Sequence, residues 1–203
     1  MKLPKIILAS SSPRRAEILK SVGWEFEKDV ADIDETATEN ETPEDYVVRL
    51  AKSKASAVAS KYSKGVVLGA DTTVVIDGKI LGKPENLEQA RRMLRALSNR
   101  WHQVLTGVAI VEKSDLEFRA ITAIEKTSVK FANMSEEEIE FLIENGEPLD
   151  KAGAYAVQAQ AALFIERIEG DYWNVVGLPI HLVYKLIKQI SSSTSNQSFA
   201  QVD

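Results

Sequence analysis

The chain contains no cysteine. That excludes a disulfide framework, thiolate metal sites and a cysteine nucleophile, and it fits a reducing, cytosolic setting. Histidine is nearly as scarce: 203 residues include only His102 and His181. They stand far apart, fit no zinc spacing and read as structural. No apolar run approaches the roughly 20 residues that a membrane span needs. The short apolar stretch after Met1 and Lys2 is too brief for a signal peptide and reads as a first buried strand. Positive charge is not in excess, since the net charge is −5. This speaks against a nucleic-acid backbone as the main partner, whereas a free nucleotide needs only a local basic pocket. No Gly-x4-Gly-Lys-Ser/Thr string occurs, so there is no P-loop.

What is present suits a soluble α/β chain: 44% hydrophobic and 27% charged residues, enough length for one domain or two fused lobes. Lys5–Ala9 reads as a strand. Ser12 and Pro13 then start a helix, as N-cap and first helical residue, which stops near Gly23. Trp24–Val30 reads as a second strand and the acidic stretch Ala31–Glu41 as a loop. A helix opens at Thr42-Pro43 and runs to about Ser60. Val66–Ile76 is a strand pair or one long bent strand, followed by an Asp77-Gly78 hairpin turn. Asn86–Leu97 is an amphipathic helix, with Gln89 completing a capping pair. His102–Glu112 and Glu117–Phe131 are two long strands. A capping box at Ser135 opens a helix that ends at Gly146. Leu163–Ile168 is a strand and Pro179–Ile190 a closing helix. The polar tail Ser191–Asp203 reads as disordered. This order predicts a mixed sheet flanked by helices.

Four places break local structural rules, and such conflicts are candidates for function. Ser12-Pro13-Arg14-Arg15 puts two arginines in a first helical turn, where acids are favoured. An anion bound at the helix start resolves the conflict; solvated side chains are the alternative. Asp71 interrupts the apolar run Val66–Ile76 and needs a partner or a metal unless it lies at an exposed edge. Gly69 beside it suits close approach of a ligand. Lys54 falls on the stripe Val47, Ala51, Lys54, Val58, the inward face of its helix, or snorkels at that stripe's rim. The segment Glu147–Tyr155 follows a helix stop; Asp150 and Lys151 form a charge pair there, and Ala152-Gly153-Ala154 suit backbone approach to a ligand. Lys83 could present an ammonium to a phosphate. Asp34-Glu35 could ligate Mg²⁺. Cations that hold phosphates, with acids that hold metal and water, are what triphosphate chemistry requires.

In this order Ser10-x-Ser12-Pro13-Arg14-Arg15, Gly69-Ala70-Asp71-Thr72, Lys83-Pro84, Asp150-Lys151-Ala152-Gly153-Ala154-Tyr155 and Val176-Gly177-Leu178-Pro179 resemble the Maf family of nucleotide pyrophosphatases. The match runs over nearly the whole chain. The resemblance implies a twisted mixed sheet with two lobes and a central cleft, like that of inosine triphosphate pyrophosphatases. It also implies a cytoplasmic location, frequent homodimers and a divalent cation, Mg²⁺ or alternatively Mn²⁺ or Co²⁺. It makes Asp71 the proton acceptor and Glu35 a metal or catalytic carboxylate, with Asp71 sharing the metal. Ser10, Ser12, Arg14 and Arg15 become phosphate binders, and Lys54 and Lys83 the catalytic lysines. Arg14, Thr72 and Gln158 match the branch similar to dTTP/UTP pyrophosphatases, not the 7-methyl-GTP branch. With Asp150 they form the expected substrate-binding set. A carboxamide at Gln158 can pair with the N–H and carbonyl of uracil or thymine. Ala159 stands where that branch usually has Gly, which is expected to narrow the pocket. Two rival readings are a house-cleaning pyrophosphatase for modified nucleotides, either modified pyrimidines or methylated purines, and a nucleotide-binding regulator of cell division and septum formation.

Overall fold

The computed structural model describes residues 3–114 and 117–197, with side chains described to residue 192. Strands β1 (Ile6–Ala9), β2 (Phe26–Asp29), β3 (Gly65–Ile76), β4 (Lys79–Leu81), β5 (Trp101–Lys113), β6 (Phe118–Phe131) and β7 (Ile165–Glu169) form one sheet. Its order is β2-β1-β3-β5-β6-β7, with β4 on the side of β3. β1 runs parallel to β2 and β3, and the remaining pairs are antiparallel. The sheet is therefore mixed, as its element order predicted.

Residues Val66–Ile76 belong to one strand, and Asp77 (φ 51°) and Gly78 (φ 72°) turn it tightly into β4. The helices are α1 (Pro13–Ser21), α2 (Pro43–Ala59), α3 (Leu87–Leu97), α4 (Glu136–Asn145), α5 (Tyr172–Val176) and α6 (Ile180–Gln197). Thr42, Asn86 and Ser135 cap α2, α3 and α4 through their side chains. Gln89 does not complete the expected pair with Asn86: its side chain accepts from the N–H of Glu85 instead.

Alternation along the strands sends side chains to two layers. Leu68, Ala70 and Val74 of β3 join a large core built with α1, α3, α4 and α6, whereas Val67 and Val75 turn to α2. The final helix runs to Gln197, beyond the point where composition suggested disorder. Ser191 and Ser192 fit into it because their hydroxyls donate to the carbonyls of Ile187 and Lys188. Residues 198–203 of the expected tail lie outside the described residues.

The sheet contains a gap, and the gap positions the site. β1 pairs with β3 only as far as Gly69, and β4 pairs with β3 only from Val74. Residues 70–73 therefore have no strand on that side. This is a switch point in strand order, the usual place for ligands in open α/β sheets.

Candidate active site

A cleft of about 480 Å³ opens at this gap. It gathers the expected catalytic and binding side chains: Ser10, Ser12, Arg14 and Arg15 from the start of α1, Glu35 from the acidic loop and Lys54 from α2; Asp34 is not among its lining residues and accepts from the Thr36 N–H instead. Asp71 and Thr72 come from β3, Lys83 from beyond β4, and Asp150 and Gln158 from the segment after α4.

At its centre Lys54 Nζ lies 2.6 Å from Asp71 Oδ1 and 2.8 Å from Glu35 Oε1. Lys54 is thus on the inward face of α2, as the stripe predicted, and its ammonium bridges both carboxylates. Asp71 is only 8% exposed. Burial raises its pKa, and the nearby charges of Lys54 and Arg15 offset that rise only in part.

The two arginines diverge. Arg15 turns inward: Nε donates to the Gly177 carbonyl at 2.9 Å, one terminal nitrogen to Ser10 Oγ at 2.9 Å, and the other to Thr72 Oγ1 at 3.1 Å. Burial lowers its pKa, countered by the Asp71 carboxylate. Arg14 stays at the rim, where its guanidinium donates to the Asp150 side chain at 3.1 Å and carbonyl at 3.3 Å. Burial pushes the Asp150 carboxyl up, but hydrogen bonds from Lys151 and Arg14 together outweigh it, so it titrates below its ordinary range.

Ser12 occupies the N-cap position of α1, yet its side chain forms no cap, and the first turn holds no acid. Its own N–H donates to Ser10 Oγ. The backbone donors that open α1 therefore face the cleft without a side-chain cap, an arrangement suited to an anion.

The glycines near the site have a different purpose from the one expected. A Cβ on Gly69 would meet Ala51 O at 2.2 Å, so the close approach there is by α2, not by a ligand. Gly153 (φ 66°) lies against the Val74 side chain and again leaves no room for a ligand.

Sequence reasoning missed the supports. Tyr46 lines the cleft and donates through its hydroxyl to the Glu35 carbonyl at 3.1 Å. Arg49, one turn on, holds Glu41 and the Thr36 carbonyl of the same acidic loop. Behind Arg15, Thr72 shares a hydrogen bond with Thr106, which donates to the Asn174 carbonyl. The Asn174 amide in turn donates to Val104 O and Thr127 Oγ1. Only the polar Thr106 within the apolar run of β5, Val104–Val111, hinted at this chain.

The family model for Maf-like proteins matches residues 5–190. The chain belongs to the Maf family. A dTTP/UTP pyrophosphatase of Symbiobacterium thermophilum is 50% identical to this Maf chain over 187 residues, 92% of this chain and 94% of the relative. One of Bacillus mycoides is 47% identical, covering 95% of this chain and 98% of the relative. Among solved structures, a HAM1 protein from Coxiella burnetii is similar with TM-score 0.47 and 18% identity, over 65% of this chain and 75% of that one. The Staphylococcus aureus Ham1 protein has TM-score 0.44 and 19% identity, over 64% and 72%.

Proposed function

We propose that this Maf protein hydrolyses the α–β anhydride bond of dTTP and UTP, giving the nucleoside monophosphate and pyrophosphate. The observation that carries the reading is the triad at the sheet gap, Glu35–Lys54–Asp71, set beside the uncapped start of α1. The names of the relatives support the substrate class.

The phosphate chain lies along the α1 amides, with Arg14, Lys54 and Lys83 balancing its charge. Ser10 and Ser12 shape the loop that presents those amides. Arg15 contributes charge from the wall and holds that wall in place. Asp71 takes the proton of a water whose oxygen bonds to the α-phosphorus. The bond from that phosphorus to the bridging oxygen breaks, and its electron pair leaves with pyrophosphate. Burial makes Asp71 a stronger base than a solvated carboxylate.

The donor set suits a divalent cation. Two carboxylates already converge on one positive charge, and Mg²⁺ is commonly held by one or two carboxylates while phosphate and water complete its shell. Among the described residues no larger cluster of His, Asp or Glu competes for it. Glu35 and Asp71 would hold the ion, whether Mg²⁺, Mn²⁺ or Co²⁺, and it would neutralise phosphate charge. Gln158, which lines the cleft, would pair with the pyrimidine edge, with Thr72 and Asp150 contributing to the substrate wall.

A panel of nucleoside triphosphates with pyrophosphate detection tests the proposal. Preferred turnover of dTTP and UTP is the expected result. Preference for methylated purine nucleotides would replace the substrate, and binding of nucleotides without turnover would replace the enzyme with a sensor.

A further inference from the structure

Three buried side-chain atoms have no hydrogen-bond partner among the described residues: Thr73 Oγ1, His102 Nδ1 and Asn174 Oδ1. His102 and Asn174 each bond through their other polar atom, His102 to Tyr155 and Asn174 to Val104 and Thr127. Neither lines the cleft. Thr73 does, at 2% exposure. The hydroxyls of Thr72, Thr106 and Thr127 nearby are all bonded. A buried hydroxyl without a partner costs stability, and valine has nearly the same shape without that cost.

We propose that the Thr73 hydroxyl binds the substrate, donating a hydrogen bond to an oxygen of the phosphate chain. The inference rests on the pyrophosphatase reading and extends it to a residue that reading does not use. Thr73 belongs to residues 70–73, the part of β3 that lies between its pairings with β1 and β4. Strand alternation places its side chain on the same face as Asp71, two residues away. A phosphate chain presents acceptors only, and the hydroxyl can supply the donor. The competing account makes Thr73 a β-branched filler of a strand, a place that valine would fill equally well.

The two accounts differ for Thr73→Val. Binding of inorganic triphosphate and of the α,β-imido analogue of dTTP is measured by calorimetry with Mg²⁺, alongside thermal unfolding. Thr73→Val should bind both ligands about ten-fold or more weakly, with a melting temperature at or above that of the wild type. Thr73→Ser should restore most of the affinity. Wild-type affinity in Thr73→Val would overturn the proposal, as would a loss that Thr73→Ser does not repair. Weakened binding of the nucleotide alone would move the contact to sugar or base and equally overturn it. Wild-type turnover of dTTP and UTP is recorded in parallel. Its absence would refute the activity itself, whereas normal turnover with unchanged Thr73→Val binding would refute only this contact.

Discussion

Gly69 and Ala51 touch backbone to backbone: a Cβ on Gly69 would stand 2.2 Å from the Ala51 carbonyl oxygen. Gly107 receives Val47 in the same way, also at 2.2 Å. The two helix residues are one turn apart, so the glycines form a seat for α2 across β3 and β5. Lys54 lies three residues past Ala51, and Asp71 two past Gly69. The seat thereby brings the ammonium to the carboxylate.

Gly69→Ala should lift the helix from this seat. Overpacking against rigid backbone predicts a loss of about 2 kcal/mol or more, read by denaturant unfolding, together with reduced turnover. Gly82→Ala is the control. An added Cβ there meets nothing within 4 Å, so its stability should stay within about 0.5 kcal/mol of the wild type.

Asn174→Ala removes the fully buried amide that bonds Val104 O and Thr127 Oγ1. Val104 O and Thr127 Oγ1 each lose this donor, although Thr127 keeps the Asp171 N–H, which predicts a loss of about 1–3 kcal/mol in unfolding free energy. The network continues from the Asn174 carbonyl, whose position the buried amide fixes, through Thr106 and Thr72 to Arg15. KM for the nucleotide should therefore rise in protein that remains folded, as steady-state kinetics below the melting temperature would show.

His102 gives stability a specific acid dependence. Burial pushes its pKa down to about 4, whereas an unfolded histidine titrates near 6.5. The unfolded chain therefore takes up the proton first as pH falls. The contribution is complete above about pH 6.5, declines below it and is lost near pH 4, amounting to ~3 kcal/mol. Urea unfolding across this range should show the decline in the wild type and a shallower one in His102→Gln.

Much of this was legible in the sequence because local chemistry specified it. Thr42, Asn86 and Ser135 are cap residues and mark real helix starts; Asp77-Gly78 is a turn pair and makes the turn. The apolar stripe on α2 puts Lys54 on the inward face. What escaped was long-range in origin. Nothing local tells whether the space at Gly69 admits a ligand or a helix. Arg49 is an ordinary helical arginine until Glu41 and the Thr36 carbonyl fold against it. The stretch after α4 carries no clean period because it forms short 3₁₀ turns, Pro148–Asp150, Ala152–Ala154 and Gln160–Phe164. The last of them takes up the start of the expected strand, which begins at Ile165.

The same stretch settles the departure at Ala159. Its φ is −122°, a value open to any residue, and it does not line the cleft, whereas Gln158 does. It does not narrow the pocket as expected. Ala159→Gly should leave the ratio of kcat/KM between dTTP and CTP unchanged, and Gln158→Ala should lower it, as competition assays with both nucleotides would reveal.

The most direct test is pyrophosphate release from dTTP and UTP by the wild type and Asp71→Asn, with thermal unfolding of both. Removal of a proton acceptor predicts at least a hundred-fold or so lower kcat, with a melting temperature close to that of the wild type. Wild-type turnover by a folded Asp71→Asn protein would contradict the account.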